Sequence, residues 1–150
     1  MLGTLDCRQI EDLLHAEVVG RIGCHTSGRT YVVPITYAYD GAAVYGHSAE
    51  GLKLAMMREN PDVCFEVDRM ENMADWRSVI AWGTFEELHG DAARLGMTLL
   101  LRRLTPLLTS ESAPIHGPAS SPTHPEDPAE RPAVLFRIVL REKTGRFEKR

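Results

Sequence analysis

Several motifs that would assign a function at once are missing from this sequence. No GxGxxG or GxSxG element occurs in its 150 residues, so neither a Rossmann fold nor an α/β-hydrolase has support. The three cysteines, Cys7, Cys24 and Cys64, are odd in number and lack CxxC spacing, which argues against a disulfide framework or a zinc site. His116 and His124 have no cysteine or acidic partners at ligand spacing. We therefore predict no metal centre.

A strong net charge and long apolar runs are missing as well. The formal net charge is −4 at pH 7 and the 17 basic residues are scattered, which leaves no electrostatic footprint for nucleic acid or for an anionic membrane. No apolar run approaches the roughly 20 residues that span a bilayer. The first residues, MLGTLDCRQIEDLL, carry acids where a secretory signal would be basic and then apolar. We expect a single cytoplasmic domain over 1–150 that binds a small molecule.

What is present is a mainly β pattern with three helical segments. β-branched and aromatic runs separated by turn signals predict about six strands in meander order, which favours a small closed barrel with peripheral helices over a parallel sheet. Asp6 and Asp91 are predicted helix N-caps, and Gly83 is a predicted bulge. The segment 110–132 is rich in proline and serine and predicts an extended or mobile loop. The predicted strands are 18–25, 30–40, 42–48, 63–68, 76–88 and 133–142, and the predicted helices are 5–15, 52–59 and 91–108.

The stretch VYGHSAEGLKLAMMRENP at 44–61 combines the end of a strand with the start of a helix. A helix N-terminus presents unpaired N–H groups and the positive end of the helix dipole, so it binds phosphate readily. Ser48 adds a hydroxyl donor, Gly51 allows the backbone to approach closely, and Lys53 adds a full charge. The plainer interpretation is that Ser48 is an ordinary N-cap and Lys53 a solvated side chain. The pattern alone leaves both interpretations open.

Pro34 interrupts the strong strand TYVVPITYAY at 30–39. Because proline has no N–H, it is expected to remove a ladder hydrogen bond and to lie on a sheet edge or at a break in the sheet. Backbone groups of Ile35, Thr36 and Tyr37 would then be available to the polar edge of a planar heterocycle. The alternative is that Pro34 only protects an edge strand from aggregation.

These segments together carry a family resemblance. The chain resembles the pyridoxamine 5′-phosphate oxidase-like flavin-binding proteins, in the branch that includes nitroimidazole-resistance proteins, through GRIGCHTSGRTYVVPITYAYDGAAVYGHSAEGLKLAMMRENPDVCFEVD at 20–68 and WRSVIAWGTFEEL at 76–88. The resemblance implies a split β-barrel that forms a homodimer and binds FMN at the subunit interface. The vitamin B6 oxidases of this superfamily end in an Arg-x-His motif that grips the substrate phosphate, whereas this chain ends LREKTGRFEKR. Vitamin B6 oxidation is therefore not expected.

The resemblance also implies roles for individual residues. The strand PITY at 34–37 is similar to the segment along the flavin ring edge, and Lys53 matches the phosphate-binding lysine of the family. His47 coincides with a histidine close to the flavin and is the candidate catalytic residue, with a structural, hydrogen-bonded histidine as the alternative. Arg77 is a candidate for stabilising negative charge on the reduced ring, although the subunit that it would serve is open. The cofactor-binding residues implied in this way are Pro34, Ile35, Thr36, Tyr37, His47, Ser48, Gly51, Leu52, Lys53, Trp76, Arg77 and Ser78.

The expected function is that of an FMN-dependent oxidoreductase. In this interpretation the flavin carries out electron or hydride transfer on a small-molecule substrate, and NADH, NADPH or a deazaflavin donates the electrons. One alternative is a non-enzymatic flavin carrier or redox sensor. Another is a barrel that holds haem, with a histidine such as His47 as the axial ligand.

Overall fold

The computed structural model describes residues 1–108 and 133–150, and in these residues eight strands form one antiparallel sheet. The predicted loop at 110–132 lies outside the described residues. None of the helices in the described part is long and apolar enough to cross a membrane. The strands are β1 (Leu2–Thr4), β2 (Val19–Thr26), β3 (Arg29–Thr36), β4 (Ala38–Tyr39), β5 (Ala43–Ser48), β6 (Asp62–Asn72), β7 (Asp75–Glu87) and β8 (Val134–Glu148), and the helices are α1 (Cys7–Ala16), α2 (Leu52–Glu59) and α3 (Gly90–Leu104).

The strand order is β3-β2-β6-β7-β8-β5-β4, with β1 added beside β8. The mainly β, split-barrel class predicted from the sequence is confirmed, and the six long strands are the six that were predicted. β1 was missed because three residues are too few to show alternation, whereas β4 lies within the predicted strand 30–40, which the structure divides into β3 and β4. The expectation of full closure was wrong: no ladder joins β3 to β4 in the part of the chain that the structure describes.

One continuous segment forms both edges of the open sheet. Residues 29–36 pair with β2, and Ala38–Tyr39 then pairs with β5 on the other edge. Between them, the N–H of Tyr37 still donates to the carbonyl of Val18 at 3.0 Å. The barrel therefore separates immediately beside Tyr37, where the segment changes its partner strand.

Helix α1 packs against the barrel and fills its core. Asp6 caps it as predicted, because its side chain accepts the N–H of Gln9 at 2.9 Å and the Gln9 side chain accepts the N–H of Asp6 at 2.9 Å. Leu14 is fully buried in the barrel core, and its carbonyl accepts a 2.7 Å hydrogen bond from the Tyr37 hydroxyl. This contact fixes Tyr37, and with it the point of separation.

The remaining elements confirm some boundaries and correct others. The β7–β8 register shifts between Trp82 and Gly83, which confirms the predicted bulge. A Cβ on Gly83 would meet the Val139 carbonyl oxygen at 2.5 Å, so only glycine fits there. The N-cap of α3 is His89 and not Asp91, which lies in the first turn. β8 continues past 142 to residue 148, because β7 and β1 pair with its second half.

Candidate cofactor site

The candidate site lies where β3 and β5 separate. Ala38 pairs with Tyr45 and Tyr39 pairs with Val44, but the ladder stops there. Continuing the same register would place Thr36 opposite His47. Hydrogen bonding alternates along an antiparallel pair, and the Tyr37 N–H faces β2, so the Thr36 N–H and C=O face the gap. The gap therefore has an open backbone edge.

Pro34 lies on this open edge, as predicted, but its effect on the ladder differs from the prediction. It stands opposite Arg21 at a position that does not exchange hydrogen bonds with β2, so its missing N–H removes no ladder bond. Ile35 and Tyr37 were expected to offer backbone groups to a ligand. Their backbone groups face β2 instead, and their side chains are buried in the core. Only Thr36 and the Pro34 carbonyl remain on the gap side.

His47 contributes a buried polar atom without a partner. Its Nδ1 is buried, and it neither accepts nor donates a hydrogen bond within residues 1–108 and 133–150. Burial lowers the pKa of His47, and the nearby charge of Lys53 lowers it further, so the ring is neutral at neutral pH. An unsatisfied buried polar atom costs about 1–3 kcal/mol. Within the described residues, Nδ1 therefore gives no support to the alternative of a hydrogen-bonded structural histidine.

The N-terminus of α2 lies beside His47 and has no internal cap. The N-cap is Gly51, which lacks a side chain, and the first helical hydrogen bond runs from the Ala55 N–H to the Gly51 carbonyl at 3.1 Å. The N–H groups of residues 52–54 therefore point out of the helix start. Ser48 is not the N-cap, since its hydroxyl donates to the Ala49 carbonyl at 2.9 Å. Leu52 is exposed at the start of the helix.

Lys53 gives this helix start a full positive charge. It is half-buried and makes no ion pair with any residue that the structure describes. Burial lowers the pKa of Lys53, and no partner raises it again. A half-buried cation, three outward N–H groups and an unpartnered imidazole nitrogen form a site that matches an anion with polar groups attached.

Trp76, Arg77 and Ser78 lie beside the opposite end of β8 from His47 in the strand register. Arg77 pairs with Phe147, whereas His47 pairs with Leu135, 12 residues earlier on β8. At about 3.3 Å per residue this is a contour length of roughly 40 Å. The Trp76 indole N–H donates to Glu148 at 3.2 Å, beside a cavity of about 110 Å³ at that end of the sheet. The described residues contain no group of three side chains placed to hold a metal ion.

Sequence and structure comparisons identify the family. The pattern of the pyridoxamine 5′-phosphate oxidase family matches residues 6–147, so the chain belongs to this family. An uncharacterized protein of Rhizobium meliloti (strain 1021) is 32% identical over 80 residues, which is 53% of either chain. The match thus spans about half the length of that relative.

Solved structures share the fold along the whole chain. An FAD-binding protein from Mesorhizobium loti is 30% identical, with a TM-score of 0.79 over 100% of this chain and 98% of that one. A candidate 5-nitroimidazole antibiotic resistance protein from Bacteroides thetaiotaomicron is 20% identical, with a TM-score of 0.69 over 98% of this chain and 89% of that one. The second similarity extends to the fold alone.

Proposed function

We propose that the protein binds FMN in the gap between β3 and β5 and works as a flavin-dependent oxidoreductase. The observation that carries the proposal is that His47 Nδ1, the Lys53 ammonium group and the open N-terminus of α2 lie close together and have no partners among residues 1–108 and 133–150. The family, together with the FAD-binding relative at 30% identity, supports a flavin as the ligand. A terminal phosphate is the anion that suits this helix start, which favours FMN over riboflavin.

Each part of the site has a role that follows from its chemistry. Lys53 and the N–H groups of residues 52–54 would hold the phosphate, and the Ser48 hydroxyl would turn from Ala49 to join them. The Thr36 N–H and the Pro34 carbonyl would contact the polar edge of the ring. When bound, the flavin supplies the electron-transfer chemistry. His47, neutral and unpartnered at Nδ1, can hold or give a proton there and remains the candidate catalytic residue.

The proposed working unit is a homodimer with the flavin near the interface. Side chains alternate along the strands, so Val32, Met70 and Ile80 point away from the core, and they are 62%, 62% and 42% exposed. A groove of about 290 Å³ that is lined by Cys64 and Trp82 lies on the same face. Exposed apolar side chains beside a groove on one face suit an isologous contact. In such a dimer, Trp76, Arg77 and Ser78 would reach the flavin site of the partner.

The experiment is to purify the protein and identify any released chromophore by absorption and chromatography. The proposal predicts a yellow protein that releases FMN and is bleached by NADH, NADPH or a reduced deazaflavin. Bound FMN without bleaching by any donor would favour a flavin carrier or sensor. A Soret band, or failure to bind added FMN, would contradict the proposal.

A further inference from the structure

Arg58, in the last turn of α2, joins two carboxylates beside the candidate site. Its Nη1 and Nη2 donate to the two oxygens of Glu50 at 2.7 and 2.8 Å, and its Nε and Nη2 donate to Glu87 at 3.0 and 2.7 Å. These bonds, first of all those to Glu50, raise the pKa of Arg58 above its ordinary value. Glu87 ends β7, so Arg58 ties the loop before α2 to the barrel.

Glu50 is the acidic residue nearest in sequence to the start of α2. It directly precedes the N-cap Gly51 and lies three residues before Lys53. A carboxylate near a helix N-terminus is favoured by the unpaired N–H groups and by the helix dipole. Yet both Glu50 oxygens accept hydrogen bonds from Arg58, at 2.7 and 2.8 Å. The Glu50 carboxylate is therefore engaged by Arg58, and among the described residues it forms no ion pair with Lys53.

We propose that Arg58 is a positioning residue that keeps Glu50 away from Lys53 and so leaves the N-terminus of α2 to an external phosphate. The proposal rests on the FMN-binding function proposed above. Without Arg58, the Glu50 carboxylate would lie beside a half-buried cation that has no described partner, and it would take the place of the phosphate. Arg58 would thus set phosphate affinity without touching the phosphate.

The test measures FMN and riboflavin dissociation constants for Arg58→Gln, Glu50→Gln and the double variant. Arg58→Gln should weaken FMN binding by roughly three- to tenfold, because a like charge then competes at the site. Riboflavin affinity should stay the same, since riboflavin has no phosphate. The double variant should recover the FMN affinity of Glu50→Gln to within about twofold, because no competing carboxylate remains.

Two further variants make the result specific. Arg137→Gln breaks another exposed pair, Arg137–Glu86 at 2.7 Å, which does not involve the loop before α2, and it should leave FMN affinity unchanged.

Lys53→Met reports on the phosphate site itself. If Lys53→Met weakens FMN binding but Arg58→Gln does not, the role of Arg58 is wrong while the FMN site stands. If neither variant changes FMN affinity, the proposed phosphate site is wrong. Equal losses for FMN and riboflavin in Arg58→Gln, or no recovery in the double variant, would show only a structural role and overturn the proposal.

Discussion

Two half-buried lysines of this protein lie in opposite surroundings. Lys143 on β8 donates hydrogen bonds to the Glu11 carboxylate and, at 3.0 Å, to the Tyr39 hydroxyl. Burial opposes its charge, but these bonds raise the pKa of Lys143 above its ordinary value. Lys53 on α2 has no such partner among the described residues, and burial lowers its pKa. Within the described residues, the fold therefore pairs Lys143 and leaves Lys53 without an ion-pair partner.

The histidines near the two lysines differ in the same way. The His15 ring packs against the Tyr39 ring at a centroid distance of 4.8 Å, beside the paired lysine. His47, beside the unpaired lysine, leaves Nδ1 buried without a hydrogen bond. Buried polar groups are nearly always satisfied where only stability matters. Among the described residues, the first region is thus a hydrogen-bonded polar cluster, and the second contains a lysine and a histidine nitrogen without partners.

Replacing Lys143 with Met should destabilise the protein without affecting the flavin. The change leaves Glu11 and Tyr39 partly buried without their shared donor, so the free energy of unfolding should fall by about 2 kcal/mol. Urea denaturation of the flavin-free protein measures this change. In the same experiment Lys53→Met should be neutral or slightly stabilising, because it removes an uncompensated charge. Equal losses in both variants would remove the distinction between the two lysines.

Raising the pH should weaken FMN binding through Lys53. A bound phosphate favours the protonated amine and raises its pKa, so the affinity is fully present below the lowered pKa of ligand-free Lys53 and is lost as the pH rises through it. Above that pKa the FMN dissociation constant should rise by up to about tenfold per pH unit. Riboflavin titrations at each pH provide the control. A parallel loss for both ligands, or the same FMN profile in Lys53→Met, would assign the dependence to another group.

Replacing Ser48 with Ala should give the smallest effect. The hydroxyl already donates to the Ala49 carbonyl, so only a neutral hydrogen bond to the phosphate is at stake. FMN affinity should fall by roughly two- to tenfold, with riboflavin affinity unchanged. Isothermal titration with both ligands measures the difference. A loss as large as that in Lys53→Met would mean that the hydroxyl, and not the charge, is the main phosphate contact.

The sequence predicted the parts of the site that depend on local signals. The bounds of α2 agree with the prediction. Gly51 is the N-cap, and Asn60-Pro61 ends the helix. The edge position of Pro34 follows from its missing N–H. These signals act within a few residues, so they can be identified from the amino-acid sequence alone.

The parts that depend on long-range pairing were not predictable in this way. The register that, if continued, would place Thr36 opposite His47 exists only because the segment changes its partner from β2 to β5, and no local pattern marks that change. The contact of Arg58 with Glu87 depends on the position of β7, because Glu87 lies 29 residues further along the chain. The positions of Trp76 and His47 beside opposite ends of β8 follow from strand pairing, which no local pattern shows.

The most direct test of the account is the affinity of Lys53→Met for FMN and for riboflavin. Methionine keeps the helix-forming tendency and most of the apolar stem, so the fold should persist. Removing a charge-assisted hydrogen bond to phosphate, worth about 1.5–3 kcal/mol, should weaken FMN binding roughly ten- to hundredfold. Riboflavin should bind wild type and variant equally. An unchanged FMN dissociation constant, or an equal loss for riboflavin, would contradict the claim that Lys53 is left unpaired to bind the phosphate of a flavin.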